Sequence, residues 1–71
     1  MPLTSAKLGT QYIIDRIDTD DQGLLSFLFT LGCYSGEPIT VISRRWGGCT
    51  VAIQDSRYSI DTRLAKAIHL T

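Results

Sequence analysis

The sequence predicts a mainly β fold, a small closed barrel of about five strands with one inserted α-helix and a short C-terminal helical turn. Three observations carry this expectation. Short runs rich in Val, Ile, Thr and Tyr alternate in polarity and are broken by glycine-containing turns, as half-buried strands are. One apolar run, residues 24–31, repeats leucine at helical spacing. The chain has 71 residues, is 44% hydrophobic and 20% charged, and carries formal net charge zero. That composition is globular and leaves room for one domain, residues 1–71, in which closure of the sheet would remove exposed edges.

The first element, "LTSAKL" at residues 3–8, is one turn of helix with Leu3, Ala6 and Leu8 available to a core, and Gly9 ends it. Gln11–Ile17, "QYIIDRI", reads as the first strand. Tyr12, Ile14 and Arg16 lie on one face, and Ile13, Asp15 and Ile17 on the other. The polar run "DTDDQG" then suits a loop into a helix, where Asp20 or Asp21 can cap free amides at the positive end of the dipole. It does not suit a calcium loop. Asp18, Asp20 and Asp21 break the alternating ligand pattern, and the twelfth position is Phe29 rather than a bidentate glutamate.

In "LLSFLFTL" the stripe Leu24, Leu28 and Leu31 is widened by Leu25 and Phe29, while Phe27 points elsewhere, and Gly32 terminates the helix. A helix nearly apolar all round cannot hide every side in so small a protein. Phe27 or Phe29 is therefore expected to remain partly exposed, as a partner surface or a homo-oligomer contact; the alternative is that both fold into the core.

After Pro38, at a strand's first position, "EPITVISR" alternates Ile39, Val41 and Ser43 against Thr40, Ile42 and Arg44. "RWGG" turns the chain into "CTVAIQD", where Cys49, Val51 and Ile53 share a face. "DSR" then turns it into "YSI", completing a three-stranded meander. Asp61 can cap "TRLAKAI", with Leu64, Ala65 and Ile68 facing inward, and His69 and Leu70 can add an edge strand.

The charge balance argues against a broad electrostatic footprint for nucleic acid or an anionic membrane. No segment approaches the roughly 18 to 20 apolar residues of a membrane span, and the N-terminus lacks the apolar core of a signal peptide, so a cytoplasmic location is expected. Cys33 and Cys49, the only cysteines, are spaced neither as a redox pair nor as part of a four-cysteine zinc site. They read as small buried apolar groups.

Several of these residues together resemble the FeoA family of small components of bacterial ferrous iron uptake. The family pattern has an opening leucine, a glycine before the first strand and a helix ending in Leu-Gly-Leu-x-Pro-Gly. A Val/Ile strand and a closing Leu-Arg-x-x-x-Ala-x-x-Ile-x-Val follow. Matching positions are Leu3, Gly9, Leu31-Gly32-Cys33-Tyr34-Ser35-Gly36, then Ile39, Val41 and Ile42, and finally Ile60-Asp61 with Ala65, Ile68 and Leu70. Cys33 stands for a leucine, Ser35 for a proline, Phe27 for a common basic residue and Asp61 for a common arginine. The resemblance implies an SH3-like barrel, of the kind that also forms the C-terminal domain of DtxR-type iron-dependent repressors. It further implies a partner, the cytoplasmic G-protein domain of the FeoB permease, whose GTPase and transport the chain would modulate. The membrane would be reached only through FeoB. The alternative it leaves is a metal-responsive module related to those repressors.

Chemistry is sparse. One histidine, no phosphate-binding glycine loop and no nucleophile with an evident base speak against an enzyme. No cofactor is expected. His69 reads as a solvated edge residue, and the adjacent Asp18, Asp20 and Asp21 converge poorly, so with His69 they offer at most weak ferrous or other divalent metal contact. Arg44-Arg45-Trp46 could position phosphates and stack a base. Trp and Arg are also favoured interface anchors, and a protein partner is preferred to nucleic acid. The expected partner surface is Leu25, Phe27 and Phe29 together with Arg45 and Trp46.

Overall fold

The computed structural model describes all residues, Met1–Thr71. A single 3-10 turn at Leu3–Ser5 precedes strand β1 (Gln11–Ile17), helix α1 (Gln22–Thr30), strands β2 (Pro38–Arg45), β3 (Gly48–Ile53) and β4 (Ser56–Asp61), helix α2 (Thr62–Ala67) and strand β5 (Ile68–Leu70). All pairings are antiparallel, in the spatial order β4-β3-β2-β1-β5. The expected five-stranded, mainly β architecture is therefore present. The two outer strands, β4 and β5, do not pair with each other; α2 connects them and packs Leu64, Ala65 and Ala67 into the core. The barrel is thus completed by a helix where a last ladder would otherwise run.

Alternation places the core. Ile39 and Val41 of β2, Cys49, Val51 and Ile53 of β3 and Ile60 of β4 are buried, and their register partners keep them on one face. The pattern breaks where the β2–β3 register shifts between Val41 and Ser43, and from Ile42 to Arg45 the strand is exposed. Strand β1 is divided. Gln11–Ile13 pair with β2, and the remainder, from Ile14, pairs with β5 across a register shift between Ile14 and Arg16. Every buried residue is hydrophobic, and no buried side-chain polar atom lacks a partner.

Several local expectations are corrected. Leu8 lies beyond the 3-10 turn and is exposed, whereas Leu3 and Ala6 are buried. The β2–β3 turn contracts to Trp46-Gly47, because the positive φ of Gly47 (86°) allows a two-residue connection. Strand β4 begins at Ser56, because Gln54 adopts a left-handed φ of 55° and closes the turn earlier than "DSR" suggested. Ile68 is buried as a residue of β5, not of the helix.

Two glycines are demanded by geometry. Gly32 (φ 87°) ends α1 in a Schellman arrangement: the Cys33 amide donates to the Leu28 carbonyl (3.0 Å) and the Gly32 amide to that of Phe29 (3.0 Å). The side chain of Gln54 fills the space a Cβ would need there, and its Nε2 donates to Glu37 Oε1 at 2.9 Å. At Gly48 a Cβ would stand 2.2 Å from the Ile60 carbonyl oxygen, so the β3–β4 ladder can start there only without a side chain.

Candidate functional site

Helix α1 begins at Asp21, whose Oδ1 accepts from the Leu24 amide at 3.1 Å, so of the two aspartates expected to cap, Asp21 does so. Only Leu24 and Leu28 of the helix are buried. One of the two phenylalanines was expected to remain partly exposed; both do, Phe29 at 63% and Phe27 at 49%, and Phe29 does not widen the buried stripe. The barrel meets the helix along the narrow line Leu24–Leu28, which leaves the flanking rows outside. Leu25 is half-buried, and together with Ser26, Phe29 and Thr30 it lines an open groove of about 390 Å³. The Tyr34 ring lies 5.0 Å from that of Phe29 at an interplanar angle of 32°, extending the apolar surface past the helix end. From Gln22 to Gly36 there is no charged residue. Tyr34 was not foreseen as part of this surface, since only the Gly32 turn brings it back beside Phe29.

The second expected region, the β2–β3 turn, divides by residue. Trp46 is fully exposed. Arg45 is laid along the sheet, donating to Thr50 Oγ1 (3.1 Å) and to the Ser59 hydroxyl. Arg44 turns the other way, and its Nη2 donates to the carbonyls of Leu3 (3.3 Å) and Ala6, fastening the N-terminal turn to the sheet. Trp46 is not part of the α1 groove, whose lining comes from the helix alone.

The acidic loop separates similarly. Asp21 is engaged as a cap, and its own amide donates to Thr19 Oγ1 at 3.0 Å. Asp20 is exposed. Asp18 and His69 come together, with His69 Nε2 at 3.6 Å from Asp18 Oδ2. His69 is half-buried rather than the solvated edge residue expected, because Pro2 bridges to it and Arg16 lies opposite it in β1. No three His, Cys, Asp or Glu side chains converge as a ready ligand set. Both thiols are free and buried. Burial pushes the Cys33 thiol up to about 12, and it pushes Cys49 up against the opposing pull of Arg44 and Arg45. Neither sulfur is poised as a nucleophile. No helix is long and apolar enough to cross a membrane.

Comparison with known proteins adds to this geometry. The family model described as the FeoA domain matches residues 1–71. No curated protein matches the chain by sequence. Among solved structures, the zinc complex of Stenotrophomonas maltophilia FeoA, described as a prokaryotic SH3 domain protein, superposes with a TM-score of 0.87 at 17% identity; the match covers 100% of this chain and 89% of that one. The metal-dependent regulators are similar too. A manganese-dependent transcriptional repressor gives a TM-score of 0.88 at 24% identity over 96% of this chain and 39% of its own. IdeR of T. acidophilum gives 0.89 at 27% identity over 100% of this chain and 33% of its own. The chain thus spans well under half the length of either regulator.

Proposed function

The chain belongs to the FeoA domain family, and on that premise we propose that it is an accessory of ferrous iron uptake, a binding module that docks on the cytoplasmic G-protein domain of an FeoB permease and modulates it. The observation that carries this reading is the exposed, uncharged surface of α1, where Phe27 and Phe29 flank the buried Leu24–Leu28 line on opposite sides. Phe27 and Phe29 are 49% and 63% exposed in a chain with only 17 buried residues, so large apolar side chains are left out of a core that could use them. A 71-residue fold has little apolar surface to spare, and aromatic side chains at the centre of a patch dominate binding energy. Trp46, fully exposed on its turn, supplies a second anchor. The absence of a nucleophile–base pair and the high thiol pKa values fit a binding role better than catalysis.

The test is co-purification and calorimetry with the isolated G-protein domain of the permease. Leu25→Glu, Phe27→Glu and Trp46→Ala should each weaken association; if all three bind as the parent does, the surface is wrong. A second reading has one observation in its favour, the superposition on repressors of which the chain spans about a third. In that reading the module would associate with DNA-binding machinery only when metal is present, and metal-independent binding to the G-protein domain would exclude it.

A further inference from the structure

Strand β4 ends the sheet. It pairs with β3 from Gly48↔Asp61 to Ile53↔Ser56 and has no strand on its other side. The opposite end of the sheet is covered. Pro2 bridges to His69 of β5, the N-terminal amine donates to the Leu70 carbonyl at 3.0 Å, and the Leu70 amide donates back to the Met1 carbonyl. Of the two outer strands only β4 is left open. Two contacts show which of its groups face outward. The Ile60 carbonyl oxygen stands against Gly48 of β3, and the Thr62 amide donates to the Gly47 carbonyl at 3.1 Å. Backbone direction alternates along a strand, so Arg57, Ser59 and Asp61 turn their amides and carbonyls away from β3. The Asp61 carbonyl serves the first turn of α2, and no other segment of the chain hydrogen-bonds these groups.

We propose that the β4 edge pairs antiparallel with the same strand of a second copy of this chain, about a two-fold axis at Ser59. In that register the two Ser59 residues exchange backbone hydrogen bonds, and each Asp61 amide donates to the Arg57 carbonyl of the other copy. Arg57 then stands opposite Asp61 twice, and opposite charges on directly facing residues favour pairing. Both residues are exposed, and neither has an ion-pair partner within its own chain. Asp61 Oδ1 accepts from the Leu64 amide, and the second carboxylate oxygen is unengaged. The occupant is a second copy because the strand carries its own complement, one cation and one anion placed symmetrically about Ser59. A two-fold centred on Arg57 would set guanidinium against guanidinium, so charge selects the register centred on Ser59. The contact uses neither α1 nor Trp46 and stands independently of the permease reading.

The experiment is a dilution series of the intact chain, followed by sedimentation equilibrium and by amide chemical shifts. Expected is a monomer–dimer equilibrium with a dissociation constant of about 0.1–1 mM, because one short ladder is a smaller contact than the roughly 800 Å² per partner of a stable interface. The concentration-dependent shifts should be confined to residues 56–62 and be largest at the Ser59 and Asp61 amides. Arg57→Asp sets like charges opposite each other and should weaken the dimer about tenfold or more. Lys7→Asp, an equal change of net charge on the exposed segment before β1, should leave it unchanged. A chain monomeric at about 1 mM, shifts centred on α1 or on the Trp46 turn, or equal association of Arg57→Asp and the parent would overturn the proposal. So would β4 shifts that appear only on adding the permease's G-protein domain, since the edge would then have another occupant. The shift map is read on the parent protein, so a variant that failed to fold would still leave the proposal open to refutation.

Discussion

Helices α1 and α2 start from the same cap. Asp21 accepts from the amide of Leu24 at 3.1 Å and Asp61 from that of Leu64 at 2.9 Å, so each aspartate satisfies a free amide three residues on. Beyond the first turn they diverge. Helix α1 has nine residues, none charged, and buries two; α2 has six, including Arg63 and Lys66, and buries three. The more apolar helix is the less buried. Position in the topology explains this. Helix α2 bridges the opening between β4 and β5, where Ala65 and Ala67 allow close approach, whereas α1 hangs in the β1–β2 connection and touches the core along one line. Hydrophobicity therefore reports what a helix can bury, and connectivity decides what it does bury.

The sharpest way to break this contrast is Leu28→Ala. If one line of contact holds α1, removing its fully buried centre should cost about 2–5 kcal/mol in denaturant unfolding; a loss below about 1 kcal/mol would make the helix a passenger. Next come the exposed rows. Phe27→Glu and Phe29→Ala should leave stability within about 0.5 kcal/mol of the parent while weakening the partner complex by about 2 kcal/mol or more, and the opposite pattern would return these rings to the core. A third measurement probes the seal at the end of α1. The folded state raises the Cys33 thiol from 9.0 to about 12, so below pH 9 both states are protonated and its contribution is fully present. Above that, the unfolded thiol ionises first, and stability should fall by at most about 1.4 kcal/mol per pH unit toward pH 12. Cys33→Ala should flatten that alkaline limb. The smallest effects are at the caps, where Asp21→Ala and Asp61→Ala should each cost about 1 kcal/mol in thermal or chemical unfolding. A much larger loss at Asp61 would show that it also secures the end of β4, to which it belongs.

Much of this was legible locally. The alternation Cys49, Val51, Ile53 and the caps at Asp21 and Asp61 depend on neighbours within a few residues, and the structure has them as read. What was not legible depends on distant chain. Nothing near Arg44 indicates that its guanidinium reaches back to Leu3 and Ala6. Nothing near His69 indicates Asp18, because only the β1–β5 pairing joins them. Within the candidate surface, the exposure of an aromatic on α1 followed from composition. Which row of the helix met the barrel did not: the stripe was read as wide enough to include Leu25 and Phe29, whereas only Leu24 and Leu28 are buried.

The division of β1 has a consequence for how the chain assembles. Its first half finds β2 across one connection, and β2, β3 and β4 follow one another through two-residue turns. Its second half waits for β5, pairing Ile17 with Ile68 and Ile14 with Leu70. Loop closure of that length makes the contact the slowest to reward. During synthesis β1 emerges early, but its β5 ladder cannot form until residues 68–70 have been made, and until then β2 is the one strand available to pair with it.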